Sequence, residues 1–189
     1  EGAHFCAGGQ LQRLRDNRQK PPEVQARSIE EGLHSWVEAI RSCSKPVVAA
    51  VEGACAGAGF SVALACDMVV AADNAVFVMA YSSVGLSPDG GGSWALARQL
   101  PRATVMQLLM LGDRLSALRM QGLGLVNEVA APGTSRDGPG VEHLDEQLEL
   151  GDVDFHGGAR EGVAIIDRRG SRRPGRNAQA FPPRTKGLP

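Results

Sequence analysis

Two short, uninterrupted apolar runs in the middle of the chain constrain the fold more than any other feature. The first is Val47–Val51, and the second follows Asp67 and ends at Ala72. Neither run alternates apolar with polar residues, so each predicts a strand that is buried on both faces. Residues 60–66, which lie between the runs, predict a covering helix. This order favours an α/β fold with parallel strands and right-handed crossovers.

The remaining segments before Pro132 agree with the same layered fold. Apolar residues that recur at helical spacing predict a helix over residues 23–43, which follows a Pro-Pro pair and ends before Pro46. Further strands are predicted at 75–79 and 125–130, and further helices at 93–100, 103–111 and 117–123. The chain has only eight aromatic residues, so this core is expected to be aliphatic and rich in alanine.

Composition and charge divide the chain and exclude one class of function. Residues 1–132 predict a partial globular core, residues 133–166 a shortened helical region, and residues 167–189 an arginine-rich tail without apolar periodicity, which predicts disorder. The chain carries 20 basic and 21 acidic residues. This balance excludes a globally basic nucleic-acid binder, and a nucleic-acid role for the tail is the remote alternative.

The cysteines and the hydropathy pattern predict a cytoplasmic protein without a metal site. The four cysteines, at 6, 43, 55 and 66, have no CxxC spacing and no histidine cluster beside them. They are expected to be small buried thiols. No uncharged stretch in the apolar middle is long enough to span a bilayer, and the first residues have no signal-peptide pattern. No membrane partner is therefore expected.

Two loops made of glycine and alanine are the strongest candidates for a binding site. One covers residues 5–11, and the other covers residues 53–60, after a strand and at the start of a helix. Residues with almost no side chain let a ligand approach the backbone, and amides at a helix start favour developing negative charge. Close packing of helix on strand is the alternative. A dinucleotide site is excluded, because Val62 breaks the glycine spacing and no acidic ribose partner follows.

Seven short motifs occur in a fixed order along the core. They are FCAGG at 5–9, KPVVAAVEG at 45–53, AGAG at 56–59, ACD at 65–67, VGLSPDGG at 84–91, LPR at 100–102 and GLVNEV at 124–129. In this combination they resemble the crotonase, or enoyl-CoA hydratase/isomerase, superfamily. The resemblance implies a spiral of ββα units that binds acyl-CoA thioesters, as in fatty-acid metabolism.

The resemblance also assigns roles to residues of both loops. It implies an oxyanion hole for the thioester carbonyl, made by the backbone N–H groups of Gly9 and Ala58. It places Ala7, Gly8 and Gly57 among the substrate-binding residues. Coenzyme A enters as part of the substrate, so no separate cofactor is expected. Members of the family are commonly trimers or hexamers, which predicts a homotrimer or homohexamer here.

The acid–base positions favour isomerisation over hydration. Family hydratases use two glutamates, and this chain has Ser61 and Tyr81 at those positions, where they are expected to contact the substrate. Neither side chain replaces a carboxylate base near neutral pH. Asp89 matches the position at which several family isomerases carry a single acid/base. The alternative for its Pro-Asp-Gly-Gly setting is a simple turn.

Both ends are expected to depart from the family. The family's first ββα unit and a basic contact to CoA are missing from the motif order, and the region after Pro132 is too short for the helices that build trimers. Residues 144–150 and 159–164 resemble the family's last helix. The alternative function is therefore a non-catalytic CoA-binding or structural family member, or a defective truncated fragment.

Overall fold

The computed structural model describes residues 3–135 and 163–165, and within these only the backbone of residues 13–14, 28–29 and 163–165. The predictions for the arginine-rich tail at 167–189 and for a helix at 144–150 lie outside the described residues. The predicted partial core falls almost wholly inside them.

The main sheet has four strands, and its centre consists of the two apolar runs. Its order is β6-β3-β1-β7, in which β1 is Val47–Val51, β3 is Met68–Ala72, β6 is Glu128–Ala130 and β7 is Val163–Ile165. The neighbours β1 and β3 are parallel, with Val48 opposite Met68, and β3 and β6 are parallel as well. All five β1 residues are buried. The predicted parallel strands, buried on both faces, are confirmed.

One edge of this sheet corrects an expectation about the C-terminal region. Residues 159–164 resemble a helix, but Val163–Ile165 forms a strand that pairs antiparallel with β1, Val47 opposite Ile165. The helical expectation is wrong for residues 163 and 164. Val163, Ala164 and Ile165 are small or β-branched, and an open edge of β1 gives their backbone groups hydrogen-bond partners.

A second sheet of three strands lies next to the glycine–alanine loops. It contains β2 (Ala54–Ala56), β4 (Val76–Val78) and β5 (Leu115–Ser116), with β2 and β4 parallel and β4 and β5 antiparallel. The strand β2 occupies residues that the sequence predicts as loop. Its Ala-Cys-Ala segment is too short and too small in side chain to produce a strand pattern.

Seven helices are described, and most match a predicted one. They are α1 (Leu11–Asn17), α2 (Pro22–Ile29), α3 (Ser35–Arg41), α4 (Ala58–Ala65), α5 (Gly92–Gln99), α6 (Arg102–Leu111) and α7 (Ala117–Gly122). The predicted helix at 23–43 is confirmed, with a π-helical turn at Glu30–His34 between α2 and α3. The helix α1 was not predicted from the sequence. No helix within the described residues is both long and apolar enough to cross a membrane.

The core is aliphatic and alanine-rich, as predicted, but it excludes both tryptophans. Phe60 and Phe77 pack edge to face, with ring centroids 5.5 Å apart. Trp36 and Trp94, by contrast, are 49% and 51% exposed, so the expectation that they are core residues is wrong. The Trp94 ring lies on the surface between two guanidinium groups, those of Arg41 at 4.4 Å and Arg98 at 4.8 Å.

Candidate active site

The first glycine–alanine loop is fixed to the second by a short ladder of backbone hydrogen bonds. The amide of Phe5 donates to the carbonyl of Glu52 over 2.7 Å, and the amide of Cys6 donates to the carbonyl of Ala54 over 3.0 Å. In return, the amide of Ala56 donates to the carbonyl of Cys6 over 2.8 Å. The loop therefore extends the sheet at β2 and brings Gly8 and Gly9 towards the start of α4.

Two glycines allow the loops to approach this closely. Gly8 has a positive φ of +87°, and a Cβ added to it would lie 2.9 Å from the carbonyl oxygen of Ala56 and 3.5 Å from the amide nitrogen of Ala58. A Cβ on Gly59 would lie 2.5 Å from the carbonyl oxygen of Cys6. Any larger residue at either position would push the first loop away from α4.

The amides of Gly9 and Ala58 have no hydrogen-bond acceptor among the described residues. Ala58 is the first residue of α4, where an N–H group has no partner inside the helix and the positive end of the helix dipole lies. Gly9 is exposed and Ala58 is half-buried. Two unpaired donors on adjoining loops are the arrangement that stabilises negative charge on a carbonyl oxygen.

The three predicted substrate-binding residues of these loops lie at the same junction. Ala7 is exposed, Gly8 is half-buried, and Gly57 is buried directly before α4. The amide of Gly57 donates to the carbonyl of Val78 over 2.9 Å, which fixes the start of α4 against β4. Gly57 thus positions the neighbouring amide of Ala58.

The side chains at the acid–base positions form one hydrogen-bonded group around Asp89. The Tyr81 hydroxyl donates to Oδ1 of Asp89 over 2.5 Å. The Ser61 hydroxyl donates to the main-chain carbonyl of Asp89 over 2.9 Å, and the two hydroxyl oxygens are 3.3 Å apart. The structure therefore brings together Ser61, Tyr81 and Asp89, three residues that are 20 and 8 positions apart in the chain.

Burial sets the protonation state of the tyrosine in this group. The Tyr81 side chain is 6% exposed. Burial, reinforced by the hydrogen bond to Asp89, raises the pKa of Tyr81 well above its usual range. The phenol is therefore neutral at physiological pH and acts as a hydrogen-bond donor, not as a base.

The helix α4 connects the two halves of the site. Ala58 opens the helix, and Ser61 lies on it three residues later, about 4.5 Å along the helix axis. The loop that carries Asp89 is packed closely on Ser61, since a Cβ on Gly90 would lie 3.1 Å from that of Ser61 and 3.0 Å from Leu33 Cδ2. The helix α4 thus carries one of the two amides, that of Ala58, and contacts both the first loop, through Gly59, and the loop that carries Asp89, through Ser61.

The sequence identified Ser61 and Tyr81 as site residues but did not predict the hydrogen-bond acceptors of their hydroxyl groups. Substrate contact by Ser61 and Tyr81 stays a prediction; in the structure both side chains are buried, and each hydroxyl donates to Asp89. The sequence did predict that the three residues lie together, because the resemblance assigns all of them to acid–base positions of one family.

The described part of the chain contains no group of three or more histidine, cysteine, aspartate or glutamate side chains that could hold a metal ion. The four cysteines are free thiols, but only Cys55 is buried; the expectation of burial is wrong for Cys6, Cys43 and Cys66, which are half-buried. Burial raises the pKa of Cys55, and burial with the neighbouring Asp67 carboxylate raises the pKa of Cys66 to about 12. These two thiols are poor nucleophiles.

Comparisons with known proteins show which family this chain resembles. A family model described as enoyl-CoA hydratase/isomerase matches residues 1–135. The chain is 40% identical over 136 residues to the 1,2-epoxyphenylacetyl-CoA isomerase of Escherichia coli K12, which covers 72% of this chain and 52% of that protein. It is 39% identical over 127 residues to a probable enoyl-CoA hydratase of Rhodobacter capsulatus, which covers 67% and 48%.

Solved structures confirm the fold that the motif order predicts. A crystal structure of an enoyl-CoA hydratase from Polaromonas sp. JS666 matches with a TM-score of 0.74 and 64% identity, over 79% of this chain and 57% of that one. A Geobacillus kaustophilus structure from the same group of enzymes matches with a TM-score of 0.68 and 27% identity, over 80% and 56%. The predicted crotonase-like α/β fold is confirmed. The chain spans about half the length of the curated relatives it matches.

Proposed function

The chain belongs to the enoyl-CoA hydratase/isomerase family, and on this basis we propose that it shifts the double bond of an enoyl-CoA thioester through an enolate. The observation that carries the proposal is a single carboxylate, Asp89, on a loop that is hydrogen-bonded to α4, the helix that begins at one of the two amides without acceptors in the described part of the chain. The reaction moves one proton and rearranges electron pairs within the substrate. It therefore needs no redox cofactor or metal, and coenzyme A takes part only as the thioester.

The amides of Gly9 and Ala58 supply the electrostatic part of the mechanism. When a proton leaves the carbon next to the thioester, negative charge moves to the carbonyl oxygen. Two N–H donors aimed at that oxygen stabilise the charge, and removing one such donor typically costs about 2.7–4 kcal/mol of barrier. Ala7, Gly8 and Gly57 shape the backbone around the thioester in this proposal.

Asp89 supplies the proton transfer. Its carboxylate takes a proton from the α carbon of a 3-enoyl-CoA and returns it to the γ carbon, which moves the double bond to the 2 position. Hydration would need a second carboxylate to share the activation of water and the protonation of carbon. Ser61 and Tyr81 occupy the family's two glutamate positions, and their hydroxyl protons are donated to Asp89. This supports isomerisation over hydration.

The names of the relatives include both chemistries. The E. coli protein is named an isomerase, while the R. capsulatus protein is named a probable hydratase. The preference for isomerisation therefore rests on the side chains of this chain.

The direct experiment compares isomerisation of a 3-enoyl-CoA by the wild-type chain and by Asp89→Ala. Loss of a general acid/base costs about 10²–10⁴-fold in rate, and we expect a loss in that range. The matched control is Asp73→Ala, since Asp73 is an exposed carboxylate in a turn outside the site. An Asp89→Ala chain that isomerises as fast as the wild type would show that Asp89 is not the acid/base. Hydration of a 2-enoyl-CoA faster than isomerisation would reverse the preference.

Thermal unfolding with and without CoA separates the alternative functions. Stabilisation by CoA without turnover indicates a non-catalytic binding protein, and the absence of a cooperative transition indicates a defective fragment. Stabilisation with turnover supports the proposed enzyme. A homotrimer or homohexamer in the cytoplasm is part of the same proposal, which sedimentation and cell fractionation test.

A further inference from the structure

We propose that Tyr81 is a positioning residue that holds Asp89 by one carboxylate oxygen, Oδ1, and so makes Oδ2 the atom that exchanges a proton with the substrate. The inference rests on the proposed function, because it assumes that Asp89 is the acid/base. It gives Tyr81 a role in the reaction without contact between its hydroxyl group and the substrate.

The number of available protons determines the direction of each hydrogen bond. A tyrosine or serine hydroxyl has one proton to donate, and an ionised carboxylate or a carbonyl only accepts. The Tyr81 proton lies on the 2.5 Å bond to Oδ1 of Asp89, and the Ser61 proton on the 2.9 Å bond to the Asp89 carbonyl. Neither hydroxyl therefore donates to the other, although their oxygens lie 3.3 Å apart. Both donors are used on Asp89.

Packing leaves these hydroxyl groups little freedom to turn elsewhere. Ser61 is 1% exposed and Tyr81 is buried. A Cβ on Gly92 would lie 2.5 Å from Ser61 Oγ and 2.9 Å from Met79 Cε, so the backbone of α5 is in close contact with the group. Bonds made by buried, closely packed donors hold their acceptor in one orientation.

Asp89 is thus fixed at two points, its main-chain carbonyl and Oδ1. Because Oδ1 already accepts the Tyr81 proton, the incoming proton goes to Oδ2. The electron pair of the broken C–H bond forms the new C=C bond of the enolate, whose oxygen faces the amides of Gly9 and Ala58. Oδ2 then returns the proton to the γ carbon, and the Tyr81 proton stays on the phenol oxygen throughout.

The kinetic test is Tyr81→Phe, which keeps the ring and removes only the donor. Misplacing a catalytic group by about 1 Å costs about 10²-fold, and we expect kcat with a 3-enoyl-CoA to fall about 10- to 100-fold. KM should stay within about twofold, because the hydroxyl does not bind the substrate. Wild-type kcat in a folded Tyr81→Phe chain would overturn the inference, as would a defect confined to KM.

A spectroscopic test does not depend on the Tyr81→Phe variant or on activity. Tyr81 is the only tyrosine among the 189 residues, so 3-fluorotyrosine labelling gives a single ¹⁹F resonance. We expect Asp89→Asn to shift this resonance, because the amide replaces the charged acceptor. The control Asp73→Asn, an exposed position, should leave it in place. A resonance that is equally unaffected by both substitutions would overturn the inference.

The two tests separate failure of this inference from failure of the proposed function. If the wild-type chain isomerises and Tyr81→Phe is equally active, the function stands and the positioning role is wrong. If the wild-type chain does not isomerise, the proposed function is wrong, and the positioning role in catalysis falls with it. The ¹⁹F shift then still decides whether Tyr81 holds the Asp89 carboxylate.

Discussion

The hydroxyl of Ser61 donates a 2.9 Å hydrogen bond to the main-chain carbonyl of Asp89, which joins the helix α4 to the loop carrying the proposed base. The first amide of the same helix is that of Ala58. The position of the Asp89 loop relative to the Ala58 amide therefore depends on α4. A change that loosens α4 should affect both halves of the reaction.

Ser61→Ala tests this link. The substitution leaves the Asp89 carbonyl without its donor inside a packed region, which typically costs about 1–3 kcal/mol. We expect a loss of unfolding free energy in that range, measured with urea, and a lower kcat. Ser44→Ala is the matched control, because Ser44 is exposed. Equal stability of the two variants would show that the bond contributes nothing.

Gly59→Ala tests the close approach of the two loops. The new methyl group would lie 2.5 Å from the Cys6 carbonyl oxygen, so the first loop must move away from α4. Overpacking of this kind lowers the free energy of unfolding by about 1–3 kcal/mol. Because the Gly9 amide moves with the loop, kcat should fall as well. Gly122→Ala is the control, since that exposed helical glycine has open space around it. The control should gain up to about 1 kcal/mol of stability, and a Gly59→Ala chain that matched it in stability and kcat would contradict the loop geometry.

Glu52 forms hydrogen bonds with residues 133 and 135, in the segment that follows β6. Its Oε1 accepts hydrogen bonds from the Ser135 hydroxyl at 2.7 Å, the Gly133 amide at 3.1 Å and the Ser135 amide at 3.3 Å, and Ser135 is fully buried. We expect Glu52→Ala to cost about 1–3 kcal/mol, because these donors lose their acceptor. Glu52→Gln keeps an acceptor oxygen and should cost less. If urea unfolding gives the same value for both variants, the oxygen is not the source of the stability.

The half-buried thiol of Cys66 predicts a loss of stability at alkaline pH. Burial raises the pKa of Cys66 to about 12, whereas a thiol of the unfolded chain ionises near pH 8.5. Between these values the unfolded state binds fewer protons than the folded state, so the free energy of unfolding falls as pH rises, by at most about 1.4 kcal/mol per pH unit for one thiol. Urea unfolding at pH 8 and pH 10 should show a smaller fall for Cys66→Ala. Equal falls would mean that Cys66 ionises alike in both states.

The main sheet and the loop positions could be predicted from the sequence because their signals are local. Val47–Val51 is an unbroken apolar run, and both glycine–alanine loops are conspicuous in composition. The strand β2 could not be predicted, because three small residues become a strand only when Cys6 and β4 supply the hydrogen bonds. The contact of the Trp94 ring with Arg41 likewise joins residues that lie 53 positions apart in the sequence.

The sequence predicts which residues form the site but not the hydrogen bonds among them. The motif order identifies Asp89, Ser61 and Tyr81 as members of one reaction centre. The direction in which each hydroxyl donates depends on packing among α4, α5 and the Asp89 loop, which no local pattern reports. The sequence alone predicts contact with the substrate, which stays a prediction; the structure adds that Ser61 donates to the main-chain carbonyl of Asp89 and Tyr81 to its carboxylate.

The most direct test of the central claim, that Asp89 removes the proton while two amides hold the enolate, is exchange of substrate protons with solvent. An acyl-CoA that cannot complete the isomerisation is incubated in D₂O with the wild-type chain or with Asp89→Asn, and the α-proton signal is followed by NMR. The account predicts deuterium incorporation at the α carbon with the wild-type chain and a rate about 10²–10⁴-fold lower with Asp89→Asn. Equal incorporation with both chains would contradict it.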